Sequence, residues 1–357
     1  MRFAFKTSYD HDLGLFRDPV QRRWYAALLA AVLLLPWAVP DYLSDVSLVF
    51  IYGLCGLSLM VLAGFTGLVS LGHAAFLGIG AYAHVFFLQD LGLPWVVSVA
   101  LAAALTAAAG VLVGLPALRL HGITLAIVTL GIALVFDKYV FQDHIFDWFT
   151  GGTGGWQVTG ASILAISVDS SKHLLAAYDI LLALFCITAV LMVNLHQSGA
   201  GRRFRAIRDS EVAASTMGVN LTRYKLLAFA LSAGMAGLGG SFYPLIAGSV
   251  SPQPFWVFTS LQLAAIGVLM GVRYVPAAAL GGLFMAVVPD VLTRYGHGVF
   301  MGRLYEISYD WFQLAVGVLL VLQLILLPDG VWGDIRGRAA RIRDLVRGGA
   351  NKQVRPA

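Results

Sequence analysis

The chain has 357 residues, 59% of them hydrophobic and only 12% charged, with a mean hydropathy of +0.80. A soluble domain carries about 25% charged residues, so this composition excludes an ordinary globular protein in water. It predicts an all-α polytopic integral membrane protein with about ten membrane-embedded helical segments. The net charge of +5 does not point to nucleic acid, because its distribution along the chain is a topology signal. Cys55 and Cys186 lie in separate apolar runs, which argues against a disulfide framework, and no cysteine–histidine cluster has metal-ligand spacing.

Residues 1–23 are polar and charged and read as a cytoplasmic N-terminal tail without the features of a secretory signal. The membrane domain follows over 24–328. A crossing helix needs roughly 20 apolar residues. The first such stretch, Trp24 to Pro40, is marginal in length. From Val46 to Gln89 no charged residue occurs; that run breaks around Gly64 to Gly67 into a second and a third element. Leu91 to Leu118, Leu120 to Phe136, and Ile180 to Leu195 (begun by a turn at Leu174–Tyr178) are the fourth to sixth. Leu226 to Val272 is again uncharged, and Pro244, Pro252 and Pro254 mark a break between the seventh and eighth. Tyr274 to Pro289 and Trp311 to Pro328 complete the set. The ninth and the element around 68–89 fit re-entrant or broken segments, which are tolerated where protein rather than lipid surrounds them.

Charge checks this layout independently. Ten crossings that begin in the cytoplasm return 195–225 and the basic tail 329–357 to the cytoplasm, with Arg119 and Arg273 in tight turns. Together with residues 1–23 these parts hold 20 of the 24 Lys and Arg, as cytoplasmic retention of positive charge requires. Both termini are therefore expected inside.

Small residues recur at spacing four: Gly110 and Gly114; Ala233, Gly237 and Ser241; Gly267 and Gly271. Such stripes let helix backbones approach closely in lipid. The outer loop 137–173 carries acidic and aromatic residues and then Gly151-Gly152-Thr153-Gly154-Gly155. Without a following Lys-Ser/Thr that run is no phosphate cradle; it reads as a tight turn or a docking surface.

The cytoplasmic insert 195–225 combines an interrupted apolar stripe (Phe204, Ile207, Val212, Met217) with Arg202, Arg203, Arg205 and Arg208. Glu211 to Met217 fits a short helix ended by Gly218. Pattern alone fits either a handle for a partner or a basic segment on anionic lipid headgroups. Catalytic, cofactor and metal signatures are missing from the sequence, as are the paired intramembrane carboxylates of a proton-coupled carrier. His73 and His84 are the ionisable groups nearest mid-membrane. Packing is the ordinary role of such a histidine, but Thr66 and Ser70 beside His73 could bind a polar solute where the glycines leave room. Uphill movement of a solute would need energy from another polypeptide.

The stretch from Gly64 to Tyr82 (GFTGLVSLGHAAFLGIGAY) resembles the permeases of branched-chain amino-acid ABC importers of the LivM type. So do Leu118 to Gly131, Gly151 to Gly155, the run Gly201 to Phe229, Ser232 to Gly237, Val250-Ser-Pro252 and Leu327 to Val331, in that order. The resemblance implies a non-enzymatic membrane subunit, in a bacterial inner membrane, that translocates leucine, isoleucine and valine. It also implies a homologous second permease, two cytoplasmic ATP-binding subunits and an extracytoplasmic solute-binding protein as partners. By the same likeness Arg208, Glu211, Ala213, Ala214 and Gly218 form the segment that couples to the ATPase. Thr66, Gly67, Ser70, Gly72 and His73 match a region that lines or shapes the pathway. The turn Gly267 to Pro276 departs from the usual Gly-Gly-x-Gly-Ser-x-x-Gly-Pro pattern, and the two tails lie outside the likeness. Urea, short amides and other amino acids are alternative substrates of such permeases. A stand-alone carrier or channel, a membrane enzyme and a structural scaffold are the competing classes: the first leaves the helix around Glu211 without a purpose, the second lacks a convergent polar site, and the third explains the packing glycines but not the ordered motifs.

Overall fold

The computed structural model describes residues 32–335 except for 38–39, 121, 153–154, 158–161, 164–165, 168–170, 296, 301–302, 307–308 and 327–329. The N-terminal tail, most of the first expected span and nearly all of the basic C-terminal tail lie outside the described residues. The chain divides into two units, Met1–Leu43 and Ser44–Ala357. The described part of the first is a short helical stretch at 32–37 and a 3-10 turn at Pro40–Tyr42.

Helix α1 (Leu43–Leu59) runs on through a π-turn at Met60–Phe65. The chain leaves the helix where Thr66 turns its hydroxyl onto the Leu62 carbonyl at 2.6 Å and the Leu68 N–H donates to the same oxygen at 3.0 Å. Gly67, with φ +72°, opens the connection to α2 (His73–Val85). The break therefore follows the expected position closely. All 13 residues of α2 are buried. At 1.5 Å per residue it is roughly 20 Å long, short of a roughly 30 Å hydrocarbon core, and protein encloses it on every side.

There follow α3 (Trp95–Ala117), α4 (Gly122–Val135), α5 (Ser171–Gln197), α6 (Gly199–Asp209) and α7 (Glu211–Thr216). The chain continues with α8 (Leu221–Ala247), α9 (Val257–Met270), α10 (Val275–Tyr295) and α11 (Tyr309–Leu326). Among the described residues, five stretches are long and apolar enough to cross a membrane: Leu43–Phe65, Trp95–Pro116, Gly122–Val140, Leu174–Gln197 and Leu221–Ala247. Val257–Met270 and Val275–Val291 are shorter apolar helices. The first and last of the five are mostly buried, whereas the other three leave most of their residues open. Exposed apolar side chains such as Ile123, Ile127 and Leu191 suit contact with lipid tails.

Three expected boundaries shift. The sixth element is one helix from Ser171 rather than a turn followed by a span. Pro244 does not break the chain but sits inside α8, which ends at Gly248 (φ +72°), whose N–H donates to the Pro244 carbonyl at 2.9 Å. Pro289 likewise lies inside α10. Packed neighbours and local adjustment let membrane helices absorb proline.

The centre of the second unit is α8 packed against α3 and α2. A Cβ at Gly110 would collide with Ala233 and the Phe229 carbonyl, one at Gly237 with Thr106, and one at Gly80 with the Gly237 backbone. The small-residue stripes of α3 and α8 are thus contact lines, as their spacing predicted. Gly271 has a different job: at φ +103° it caps α9. At one end of the bundle, Trp156–Gln157 pairs antiparallel with Ser249–Val250 and ties the long loop to the α8–α9 connection. Tyr82, Phe141, Phe255 and Tyr243 pack ring to ring there, with centroids 5.1–6.2 Å apart.

Candidate functional site

At the other end, the α5–α8 connection builds a compact corner. Ser198 caps α6 by accepting from the Gly201 N–H at 3.2 Å, and a Cβ at Gly201 would strike the Leu195 carbonyl. Helix α6 is amphipathic: Gly201, Phe204 and Ile207 are buried while Arg202 and Arg203 are exposed. Ser210, in extended conformation, ends α6 and caps α7, its hydroxyl accepting from the Ala213 N–H at 3.2 Å. Gly218 (φ +80°) turns the chain out of α7, and Asn220 caps α8 by accepting from the Arg223 N–H at 3.0 Å. Each cap satisfies an amide that the first turn of a helix leaves open.

Two long-range contacts hold this corner to the membrane helices. Lys225 Nζ donates to Glu211 Oε2 at 2.7 Å, and the lysine side chain is 2% exposed. Arg208 Nη1 donates to the Gly64 carbonyl at 2.9 Å, within the π-turn that ends α1. Gly64 also lies against the Val272 carbonyl in the α9–α10 turn, where a Cβ would not fit. Gly67 is glycine for two reasons: its φ is positive, and a Cβ would come within 2.8 Å of Arg208 Cγ. The corner therefore grips the end of α1 and the foot of α8, and Gly64 in turn packs on the Val272 carbonyl.

The sequence-derived residues separate into two groups. Arg208 and Glu211 make these ties, Ala214 is buried beneath α7, and Ala213 and Gly218 are exposed on it. Val212 and Met217, 76% and 69% exposed, stand out as apolar side chains open to a partner. Thr66 and Gly67 line a cleft of about 510 Å³ together with Arg208, Glu211 and Ser215. Ser70, Gly72 and His73 are buried behind it. His73 Nε2 lies 3.0 Å from Ser232 Oγ, and that hydroxyl donates its single proton to the Ser58 carbonyl at 2.9 Å. The imidazole Nε2–H is accordingly the donor to serine. The Leu71 N–H donates to Thr129 Oγ1 at 3.0 Å and the Ala74 N–H to Ser260 Oγ at 2.9 Å. Between Leu71 and Ala74 this connection is pinned to α4, α8 and α9.

Lys225 was not singled out by sequence. It counted only as one of the cytoplasmic cations, and a local pattern gives no sign that it is buried against Glu211, 14 residues away. Cys55 and Cys186 are free thiols, and among the described residues no group of His, Cys, Asp and Glu is arranged to hold a metal ion.

The family described as "Branched-chain amino acid transport system / permease component" matches residues 43–324. The chain belongs to this family. It is 29% identical over 334 residues to the high-affinity branched-chain amino acid transport system permease protein LivM of Escherichia coli K12, covering 87% of this chain and 75% of that protein. Identity to LivM of Salmonella typhimurium LT2 is also 29%, over 262 residues, covering 67% of this chain and 58% of the relative. The LivH permease of the same Salmonella strain is 24% identical over 180 residues, half of this chain and 53% of that one. No solved structure gives a significant match. The permease is thus related to both LivM and LivH proteins.

Proposed function

We propose that this permease is one membrane half of an ATP-driven importer for leucine, isoleucine and valine, itself without enzymatic activity. The carrying observation is the corner α6–α7. An amphipathic helix pair is tied by Lys225–Glu211 and Arg208–Gly64 to two membrane elements, α8 and the end of α1, and it presents Val212 and Met217 outward. A subunit that pushes on α7 would move α1 and α8 directly. Arg208, Glu211, Ala213, Ala214 and Gly218 form this handle, and two cytoplasmic ATP-binding subunits are its users. Likeness to both LivM and LivH supports a homologous second permease as the other half, with an extracytoplasmic solute-binding protein delivering substrate.

In this reading ten membrane-embedded segments, with both termini cytoplasmic, put the corner on the cytoplasmic side of a bacterial inner membrane. Thr66 and Gly67 lie on the inner part of the route, and Ser70, Gly72 and His73 shape it by fixing the α1–α2 connection. ATP hydrolysis biases inward- and outward-facing states through contacts that differ between them.

The test is cross-linking together with substrate competition. Val212→Cys, in a background lacking Cys55 and Cys186, should form a disulfide with a cysteine placed on the ATP-binding subunit. The assembled complex should import labelled leucine in competition with isoleucine and valine but not with urea or acetamide. Competition by urea alone would move the substrate to the amide class. Absence of any cross-link along α7 would remove the coupling role.

A further inference from the structure

Gly330 lies just beyond α11 and opens a helical stretch at 330–335. Its φ is +80°, and a Cβ there would come within 2.6 Å of Gly271 Cα and 2.8 Å of the Gly271 nitrogen. Gly271 closes α9: its N–H donates to the Gly267 and Val268 carbonyls at 3.1 Å, and its own carbonyl accepts from the Tyr274 N–H at 3.1 Å. The exit of α11 thus rests, backbone on backbone, on the residue that ends α9 and starts the turn into α10. Val331, the next residue, is buried.

Val272, in the same turn, is the residue whose carbonyl meets Gly64. On the other side of Gly64, Arg208 Nη1 donates to its carbonyl at 2.9 Å. Contacts therefore run in series from α6, through the end of α1 and the α9–α10 turn, to the foot of α11. Packed side chains can absorb a small displacement by changing rotamer. The glycines at Gly64–Val272 and Gly271–Gly330 offer no side chain to do so, and a close-packed backbone contact either passes a shift on or separates. Farther along α1, α10 is held a second time, because a Cβ at Gly282 would enter the Gly53 backbone. Two contacts about 16 Å apart along α1, at 1.5 Å per residue, make α10 follow that helix. Helix α11 packs on both α9 and α10, and Gly330 sets where its foot sits on the turn between them.

We propose that Gly330 is a positioning residue for transport. It clamps the foot of α11 onto the Gly271–Tyr274 turn, so that a displacement of α6 and α7 reaches α9, α10 and α11 as well as α1 and α8. The proposal rests on the coupling role of α7 given above and extends it to the second group of helices. With the clamp loosened, ATP hydrolysis continues but fewer of its cycles move the whole bundle. A residue that only ended a helix would lose uptake and hydrolysis in parallel.

The experiment uses the full importer in proteoliposomes, with leucine uptake and phosphate release read in the same vesicles. Gly330→Ala is compared with Gly248→Ala. Both glycines have positive φ, but a Cβ at Gly248 meets nothing within 4 Å, so the second variant measures backbone strain alone. Uptake per ATP hydrolysed should fall at least about fivefold in Gly330→Ala, the lower end of ordinary coupling between sites, and stay near wild type in Gly248→Ala. Equal effects in the two variants, or parallel loss of uptake and hydrolysis in Gly330→Ala, would overturn the proposal. A second measurement uses wild-type complex and does not depend on any variant folding: amide hydrogen exchange, which reports local opening, in the nucleotide-free and vanadate-trapped states. Peptides covering 271–275 and 330–335 should change protection together with 211–218. A change at 211–218 with none at 330–335 would overturn the clamp. No change at 211–218 in a complex that imports leucine normally would overturn the coupling role of α7 itself.

Discussion

Lys225 and Glu211 meet at 2.7 Å, with the lysine buried and the glutamate at the first residue of α7. The foot of α8 is thereby fastened to α7, the segment proposed to meet the ATP-binding subunit. Removing one member of a buried pair costs more than removing both, because it strands a charge. Glu211→Gln is expected to destabilise the permease by ~3 kcal/mol, the low end for such pairs given that the glutamate keeps some exposure. Lys225→Met added to it should restore most of that loss. Thermal inactivation of the purified complex reads both, and a double variant no better than the single one would contradict a buried ion pair.

Arg208 donates to a carbonyl in a π-turn, where the helix ladder is irregular and an outside donor is useful. Arg208→Gln removes a charge-assisted hydrogen bond worth ~2 kcal/mol. Assembly should survive while uptake per ATP hydrolysed falls about tenfold. Comparing transport with phosphate release in the same vesicles checks this; parallel loss of both would mean that Arg208 only supports folding.

Gly67 and Gly218 both have positive φ, but only Gly67 is crowded. Alanine at either position costs about 1–2 kcal/mol of backbone energy, and at Gly67 it must also push Arg208 aside. Gly67→Ala should therefore impair transport more than Gly218→Ala. Gly218→Pro is harsher than either, because it forces φ negative and deletes the N–H that donates to the Ser215 carbonyl at 3.0 Å. It should weaken binding of the ATP-binding subunit while membrane insertion stays near wild type, as co-purification and membrane fractionation would show.

Gly80 and Gly131 form a matched pair inside helices. A Cβ on Gly80 would enter the Gly237 backbone, whereas Gly131 has open space around it. Gly80→Ala should abolish accumulation of folded protein. Gly131→Ala should be neutral or stabilising by up to ~1 kcal/mol, the helix-interior cost of glycine. Expression level and thermal inactivation separate the two outcomes.

Much of this was legible in the sequence, because local chemistry writes helix ends plainly. Gly218 fell just past the short helix it was expected to end, and the run from Val46 to Gln89 broke just after Gly64, where glycine and threonine permit it. Proline misled: Pro244 and Pro289 were read as ends, yet neighbouring helices hold α8 and α10 together through them. Contacts between distant segments left no local mark. The Lys225–Glu211 pair, the Arg208–Gly64 bond and the pairing of Trp156–Gln157 with Ser249–Val250 depend on how helices come together. The cleft lined by Asp290 and Gln262 is of the same kind: the two lie on different helices, and only packing brings them to one space.

The most direct test is reconstituted uptake of labelled leucine with each component omitted in turn: this permease, the second permease, the ATP-binding subunits, the binding protein and ATP. The account predicts uptake only when all five are present. Robust uptake by this chain alone, unaffected by ATP, would contradict it and make the protein a carrier or channel.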